Sequence, residues 1–238
     1  MNEPVTIKKR SAFRRFFRLV LKGLLYGFLF SILYTFYCKW FNPPITITQI
    51  SSLVHGHFFK RDYIDYDQMG YPIKLAVLAG EDQMFTDHNG FDFKSIQKAI
   101  KHNQKGKSLR GASTISQQTA KNVFLWQHGG WFRKGLEVYF TFLIEHLWSK
   151  ERILEVYLNV AEMGPNVFGV EAAAQYHFKK KAANLTRAEA AKIAACLPNP
   201  VRFTINPMSR RVSSRYPWIL RQMANLETDP DIKALLNK

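Results

Sequence analysis

The chain is 238 residues long and carries 34 Lys and Arg against 18 Asp and Glu, a formal net charge of +16. Apolar residues make up 47% and charged residues 22%, the balance of a folded protein and not of a disordered one. Two cysteines, Cys38 and Cys196, exclude a disulfide scaffold and any multi-cysteine zinc or iron–sulfur site. The surplus charge calls for an anionic partner: nucleic acid, an anionic membrane or a phosphorylated ligand.

The position of the charge narrows that choice. Residues 1–39 hold Lys8, Lys9, Arg10, Arg14, Arg15, Arg18, Lys22 and Lys39 against Glu3 alone, a net of +7. Seven of these cations precede Gly23–Cys38, a stretch with no charged residue. Lys22 and Lys39 can snorkel, which extends the apolar segment to Leu19–Phe41, near the roughly 20 residues a bilayer core requires. A cleaved signal peptide is the competing reading. The following Lys39-Trp40-Phe41-Asn42-Pro43 offers no small-x-small cleavage site. The expected organisation is a basic cytoplasmic tail over 1–18, a transmembrane signal-anchor helix over 19–41, and a domain over 42–238 on the outer side. That orientation argues against nucleic acid.

After Asn42-Pro43-Pro44, the alternating Ile45-Thr46-Ile47-Thr48 predicts an extended segment. Pro72 leads into an apolar helix, Ile73 to about Phe85. Asp92 is placed to cap Phe93–Asn103, whose Phe93, Ile96 and Ile100 share a face. Ser113 is the expected N-cap of a helix over Thr114–Phe124. Trp131–Trp148 and Lys150–Met163 read as long helices parted near Ser149. Thr186-x-x-Glu189 is a capping box opening a helix ended by Pro198. No strong strand pair, internal repeat or low-complexity tract follows residue 50. The fold class is mainly α.

Four segments could carry chemistry. Glu81 and Asp82 end an apolar helix, where a carboxylate with a raised pKa can act as acid or base. A solvated helix end is the plainer reading, and Asp87 with His88 shows no metal-ligand spacing. In Arg110–Asn122, Thr114, Gln118 and Lys121 share a helical face offering hydroxyl, amide and ammonium, suited to a sugar beside a phosphate. An ordinary polar face is equally open. Arg133 and Glu137 stand at i, i+4, so a local ion pair competes with a catalytic carboxylate beside a bound phosphate. Glu155 and Asn159 share a face and read as structural. No Gly-rich phosphate loop, nucleophile elbow or zinc motif is present.

Taken in order, these segments resemble the family 51 peptidoglycan glycosyltransferases. The matches are Glu-Asp-x-x-Phe-x-x-His-x-Gly at 81–90, Gly-x-Ser-Thr-Ile-x-Gln-Gln at 111–118, Arg-Lys-x-x-Glu at 133–137 and Ile-Leu-Glu-x-Tyr-Leu-Asn at 153–159. A further helical block runs from Gly169 to Pro200. Ala112 stands where the pattern commonly has glycine. Gly129 stands eight residues before Glu137, where some members carry a cation. The resemblance covers roughly residues 60–205. It implies a lysozyme-like, two-lobed helical glycosyltransferase domain without a transpeptidase, anchored singly in the bacterial cytoplasmic (inner) membrane.

The implied reaction polymerises lipid II into β-1,4 glycan strands, inverting at the sugar and releasing undecaprenyl pyrophosphate. By motif position Glu81 is the general base and Glu137 lies on the donor side. Lys121, Arg133 and Lys134 hold the pyrophosphate, and Asp82, Phe85, His88, Thr114, Gln118 and Asn122 line the cleft. Mg²⁺ or another divalent cation would bind through the substrate pyrophosphate, with no metal site of the protein's own. Partners are lipid II, the lipid-linked glycan chain, the membrane, and cell-wall synthesis or division proteins. The residue chemistry fits: a pyrophosphate leaves without a proton if its charge is stabilised, so such a synthase needs a base plus cations. A glycosidase needs two carboxylates and no cations. A muramidase-type hydrolase and a catalytically silent envelope scaffold are the alternatives.

Overall fold

In the computed structural model, residues 10–106, 111–127 and 129–237 are described. Positions 1–9 of the basic tail, and Arg110 of the second motif, lie outside them. The described residues fall into two compact units, one ending at Phe41 and one beginning at Asn42.

The first unit is a single helix, α1 (Arg10–Tyr37). Its Phe13–Tyr37 stretch of 25 residues is long and apolar enough to cross a membrane. At 1.5 Å per residue it spans about 37 Å, more than the ~30 Å of a hydrocarbon core. Phe16, Leu24, Phe30 and Leu33 are exposed along it. The helix ends at Tyr37, so Cys38–Phe41 follow as turns and do not complete the Leu19–Phe41 span.

The second unit begins with a correction. Ile45–Thr48 is not extended, because Thr46 caps α2 (Ile47–Val54). The Thr46 hydroxyl accepts from the Gln49 amide at 3.3 Å, and Gln49 Oε1 accepts from the Thr46 amide at 3.1 Å. A reciprocal cap that satisfies two helix-end donors outweighs a four-residue alternation.

The centre of the unit is α3 (Tyr71–Glu81), opened by Pro72 in its first turn. Ile73, Leu75, Ala76, Val77, Leu78 and Ala79 are all fully buried, so this helix is covered on every side. Lys74 is buried with them; its Nζ donates to the Leu236 carbonyl at 3.0 Å over the Tyr66 ring. The helix stops at Glu81 and does not reach Phe85. Asp82 leaves helical geometry at φ −158° and ψ 83°.

Then follow α4 (Phe93–Asn103), capped by Asp92, and α5 (Ile115–Phe124). The cap of α5 is Thr114 and not Ser113, because Thr114 pairs with Gln117 in a capping box. Next come α6 (Trp131–Leu147) and α7 (Lys150–Val160), the latter capped by Ser149. α5 packs against both.

α7 ends before Met163 because Glu162–Gly164 forms a strand, β2. It pairs antiparallel with β3 (Val167–Phe168), which pairs in parallel with β1 (Lys60–Arg61). The sheet order is β1-β3-β2. Strands of two and three residues are too short to show a period of two, which is why the sequence pattern holds no sign of them. α8 (Val170–Phe178) and α9 (Arg187–Cys196) follow, α9 opened by the Thr186–Glu189 box. Two helices, α10 (Arg210–Leu226) and α11 (Pro230–Leu236), occupy a segment to which the sequence pattern assigns none. α9 and α10 pack on α3 and on each other, and so hold the C-terminal end of α3.

Candidate functional site

The end of α3 presents Glu81 toward α5. Gln118 Nε2 donates to Glu81 Oε2 at 2.8 Å, and Gln118 Oε1 accepts from the Tyr157 hydroxyl of α7 at 3.1 Å. Part of Glu81 is open, yet its carboxylate is surrounded almost wholly by protein. Burial pushes its pKa up; the Gln118 bond and the charges of Arg215 and Lys121 work the other way, and Asp82 adds to the rise.

Lys121 stands one turn along α5 from Gln118. It is half-buried and makes no hydrogen bond or ion pair among the described residues. Burial pulls its pKa down, Glu137 and Glu81 raise it, and Arg133 and Lys134 lower it further. Lys121 thus lies in the field of both Glu81 and Glu137, which brings together two carboxylates 56 positions apart in the chain.

Glu137 is buried on α6. Its Oε2 accepts from Arg133 Nη1 at 2.7 Å and its Oε1 accepts from Lys134 Nζ. The local ion pair expected from the spacing is therefore present, with a second cation added. Arg133 Nε remains buried without a hydrogen-bond partner, a donor left over beside this cluster.

A cavity of about 130 Å³ opens beside these groups. Gln118, Lys121, Asn122, Tyr157 and Glu162 are among its walls. Asn122 Oδ1 accepts from Gln127 Nε2 at 3.1 Å, and that nitrogen also donates to Thr48 Oγ1 at 2.8 Å. Glu162, which no motif singles out, lines the wall with one oxygen accepting from the Asn166 amide at 2.9 Å. Burial pushes the Glu162 carboxyl up.

The remaining residues of the first two motifs are engaged inside the protein. Asp82 Oδ2 accepts from the Ile115 amide at 3.0 Å, one of the free donors at the start of α5. His88 Nε2 lies 3.0 and 3.1 Å from the two Asp82 oxygens. His88 Nδ1 accepts from the Gly90 amide at 3.1 Å, so the ring proton sits on Nε2 and is donated to Asp82. Phe85 is fully buried, edge-on to His88 and beneath the Lys150 ammonium. The Thr114 hydroxyl donates to the Gly90 carbonyl at 2.7 Å and caps α5. Asp82, Phe85, His88 and Thr114 therefore brace the loop after Glu81 against α5 and present no free polar atom to the cavity.

Three further residues extend that brace and stand out in no pattern. Ser116 donates to Glu145, whose Oε1 also accepts from Lys150 Nζ at 2.9 Å, and the same ammonium donates to the His88 carbonyl at 2.6 Å. Gly90 is needed where this network closes. Its φ is +85°, and a Cβ there would lie 2.7 Å from Thr141 Cγ2 and 3.0 Å from Glu145 Cγ. In the fourth motif the structural reading holds: Asn159 is buried and bonds both backbone polar groups of Ile64, and Glu155 pairs with Arg152 at 2.9 Å. Among the described residues no three His, Cys, Asp or Glu side chains cluster as a metal-ligand set.

Glu81 and Glu137 do not line the cavity themselves; Gln118, which holds Glu81, and Lys121, which lies in the field of both carboxylates, do. A carboxylate held behind a wall that carries an ammonium suits glycosyl transfer beside an anion. The family profile described as Transglycosylase matches residues 48–224. The chain is 47% identical over 226 residues to the biosynthetic peptidoglycan transglycosylase of Pseudomonas aeruginosa, covering 92% of this chain and 96% of that one. It is 53% identical over 194 residues to proteins of the same name from Shigella boydii and Escherichia coli, covering 80% of each chain. The chain belongs to the transglycosylase family and is a glycosyltransferase.

Proposed function

We propose that this chain polymerises lipid II into β-1,4 glycan strands at the outer face of the bacterial cytoplasmic membrane. Its substrate class follows the names of its relatives. Glu81 takes the proton from the 4-hydroxyl of the acceptor sugar. That oxygen attacks the anomeric carbon of the donor from the face opposite the pyrophosphate. The carbon–oxygen bond to the pyrophosphate breaks, and the α linkage becomes β.

The observation that supports this reading most is the juxtaposition in one cavity wall of Lys121, an ammonium without a partner among the described residues, and Gln118, the residue that holds Glu81. A desolvated cation next to a desolvated carboxylate suits a leaving anion beside a proton acceptor. Glu137 keeps Arg133 and Lys134 in place near Lys121. A divalent cation, where used, would enter on the pyrophosphate oxygens and stabilise the charge of the leaving group. α1 anchors the enzyme beside a substrate that cannot leave the bilayer. Arg14, Arg15 and Arg18 at its start keep that end in the cytoplasm.

The test is incubation of the detergent-solubilised full chain with labelled lipid II and Mg²⁺. Polymer formation supports the reading. Fragments released from preformed glycan would point to a hydrolase, and binding without turnover to an envelope scaffold.

A further inference from the structure

α10 lies against α3 and brings a cation to Glu81 from outside every motif. Ile219 of α10 is fully buried on Gly80, where a Cβ would come within 3.3 Å of Ile219 Cδ1. One turn earlier on the same face, Arg215 Nη2 donates to the Gly80 carbonyl at 3.0 Å. Its guanidinium lies over the Trp218 ring, 4.5 Å from the centroid. The Gly80 carbonyl is among the last in α3, where carbonyls lack helical partners and the helix dipole is negative. Arg215 thus caps α3 from a neighbouring helix, at the peptide that leads into Glu81.

Every element around Glu81 contributes a group. Asp82 follows it in the chain, Gln118 and Lys121 come from α5, Tyr157 from α7, Cys196 from α9 and Arg215 from α10. The cations in this set are Lys121 and Arg215. Arg215 opposes the effect of burial on Glu81 more strongly than Lys121 does. In the proposed reaction a bound pyrophosphate neutralises Lys121 and adds negative charge. Arg215, which is not among the walls of the cavity that holds Lys121 and is fixed to the α3 backbone, still favours a carboxylate at Glu81.

We propose that Arg215 is a positioning residue that keeps the base ionised while the lipid-linked pyrophosphate is bound. This rests on the reading of Glu81 as the base of lipid II polymerisation.

The test is the pH profile of polymerisation by the full chain. Arg215→Gln keeps a donor for the Gly80 carbonyl and removes the charge. It is expected to move the acid limb of kcat up by about one pH unit, so that kcat falls roughly tenfold below that limb and recovers at high pH. KM for lipid II stays within twofold, and Arg215→Lys returns the limb toward the wild-type position. An unmoved limb, or a loss of kcat that is equal at every pH, would overturn the proposal and leave Arg215 a structural cap. If Arg215→Gln does not fold, the wild-type enzyme decides. The acid limbs of kcat and kcat/KM are expected within half a unit of each other; a kcat limb more than one unit higher would contradict the proposal. Absence of polymerisation by wild type would count against the function itself and not against the role of Arg215.

Discussion

Asp82→Asn tests the brace behind Glu81 through its hydrogen-bond arithmetic. The wild-type carboxylate faces two donors, the Ile115 amide and His88 Nε2–H. With the asparagine oxygen in the place of Oδ2, where the Ile115 amide donates, its NH₂ group takes the place of Oδ1 and faces the His88 N–H at 3.0 Å, donor against donor. His88 cannot relieve this by changing tautomer. A proton moved to Nδ1 would meet the Gly90 amide, which now donates to that nitrogen. One charge-assisted bond is lost and one buried donor is left unsatisfied, each worth about 1.5–3 kcal/mol. A total destabilisation of about 3–6 kcal/mol is expected. For a unit of this size that lowers Tm by about 6–24 °C at roughly 2–4 °C per kcal/mol. Thermal unfolding followed by circular dichroism on the purified full chain reads it directly. His88→Ala should lower the cost of Asp82→Asn by more than 1 kcal/mol in a double-mutant cycle. A Tm within 2 °C of wild type, or additive single mutants, would refute the brace and return Asp82 to the cleft as a free carboxylate.

Lys121→Met should leave unfolding free energy within about 1 kcal/mol of wild type, since it removes a desolvated cation without a partner among the described residues, yet abolish polymerisation; parallel loss of stability and activity would count against its anion-binding role. Gly90→Ala forces a left-handed φ on a side chain whose Cβ meets Thr141, and should destabilise by more than about 2 kcal/mol in urea titrations. Burial raises the pKa of Glu81 above its ordinary value. Native protein therefore binds this proton more readily than the unfolded chain, and the group lowers stability as pH rises through the ordinary carboxylate range toward its folded value. Glu81→Gln should be more stable than wild type at pH 8, with the difference closing as pH falls; a mutant less stable than wild type at pH 8 would reverse that sign.

Much of the helical frame is legible in the sequence because its punctuation is local. Asp92 before Phe93, Ser149 before Lys150 and Thr186 three residues before Glu189 each satisfy helix-end amides with an adjacent side chain. Boundaries fail where a distant partner intervenes. Asp82 ends α3 early because its carboxylate serves the Ile115 amide, 33 residues on. Met163 leaves α7 because β3 pairs with its neighbours. The site shows the same division. The shared face of Gln118 and Lys121 follows from helical spacing, whereas Thr114, on the same face by that spacing, is occupied by Gly90 and the start of α5. Arg215 reaches Glu81 across 134 positions, and Glu145 and Lys150 reach the His88 loop across more than fifty. No periodicity encodes such contacts.

The central claim is that Glu81 is the proton acceptor in sugar transfer. Its most direct test is the turnover of Glu81→Gln at saturating lipid II, together with its affinity for lipid II. The amide keeps an oxygen for Gln118 and loses only the basicity, so turnover should fall by about 10²–10⁴-fold with affinity within threefold of wild type. Retention of more than a tenth of wild-type turnover at saturation would contradict the account.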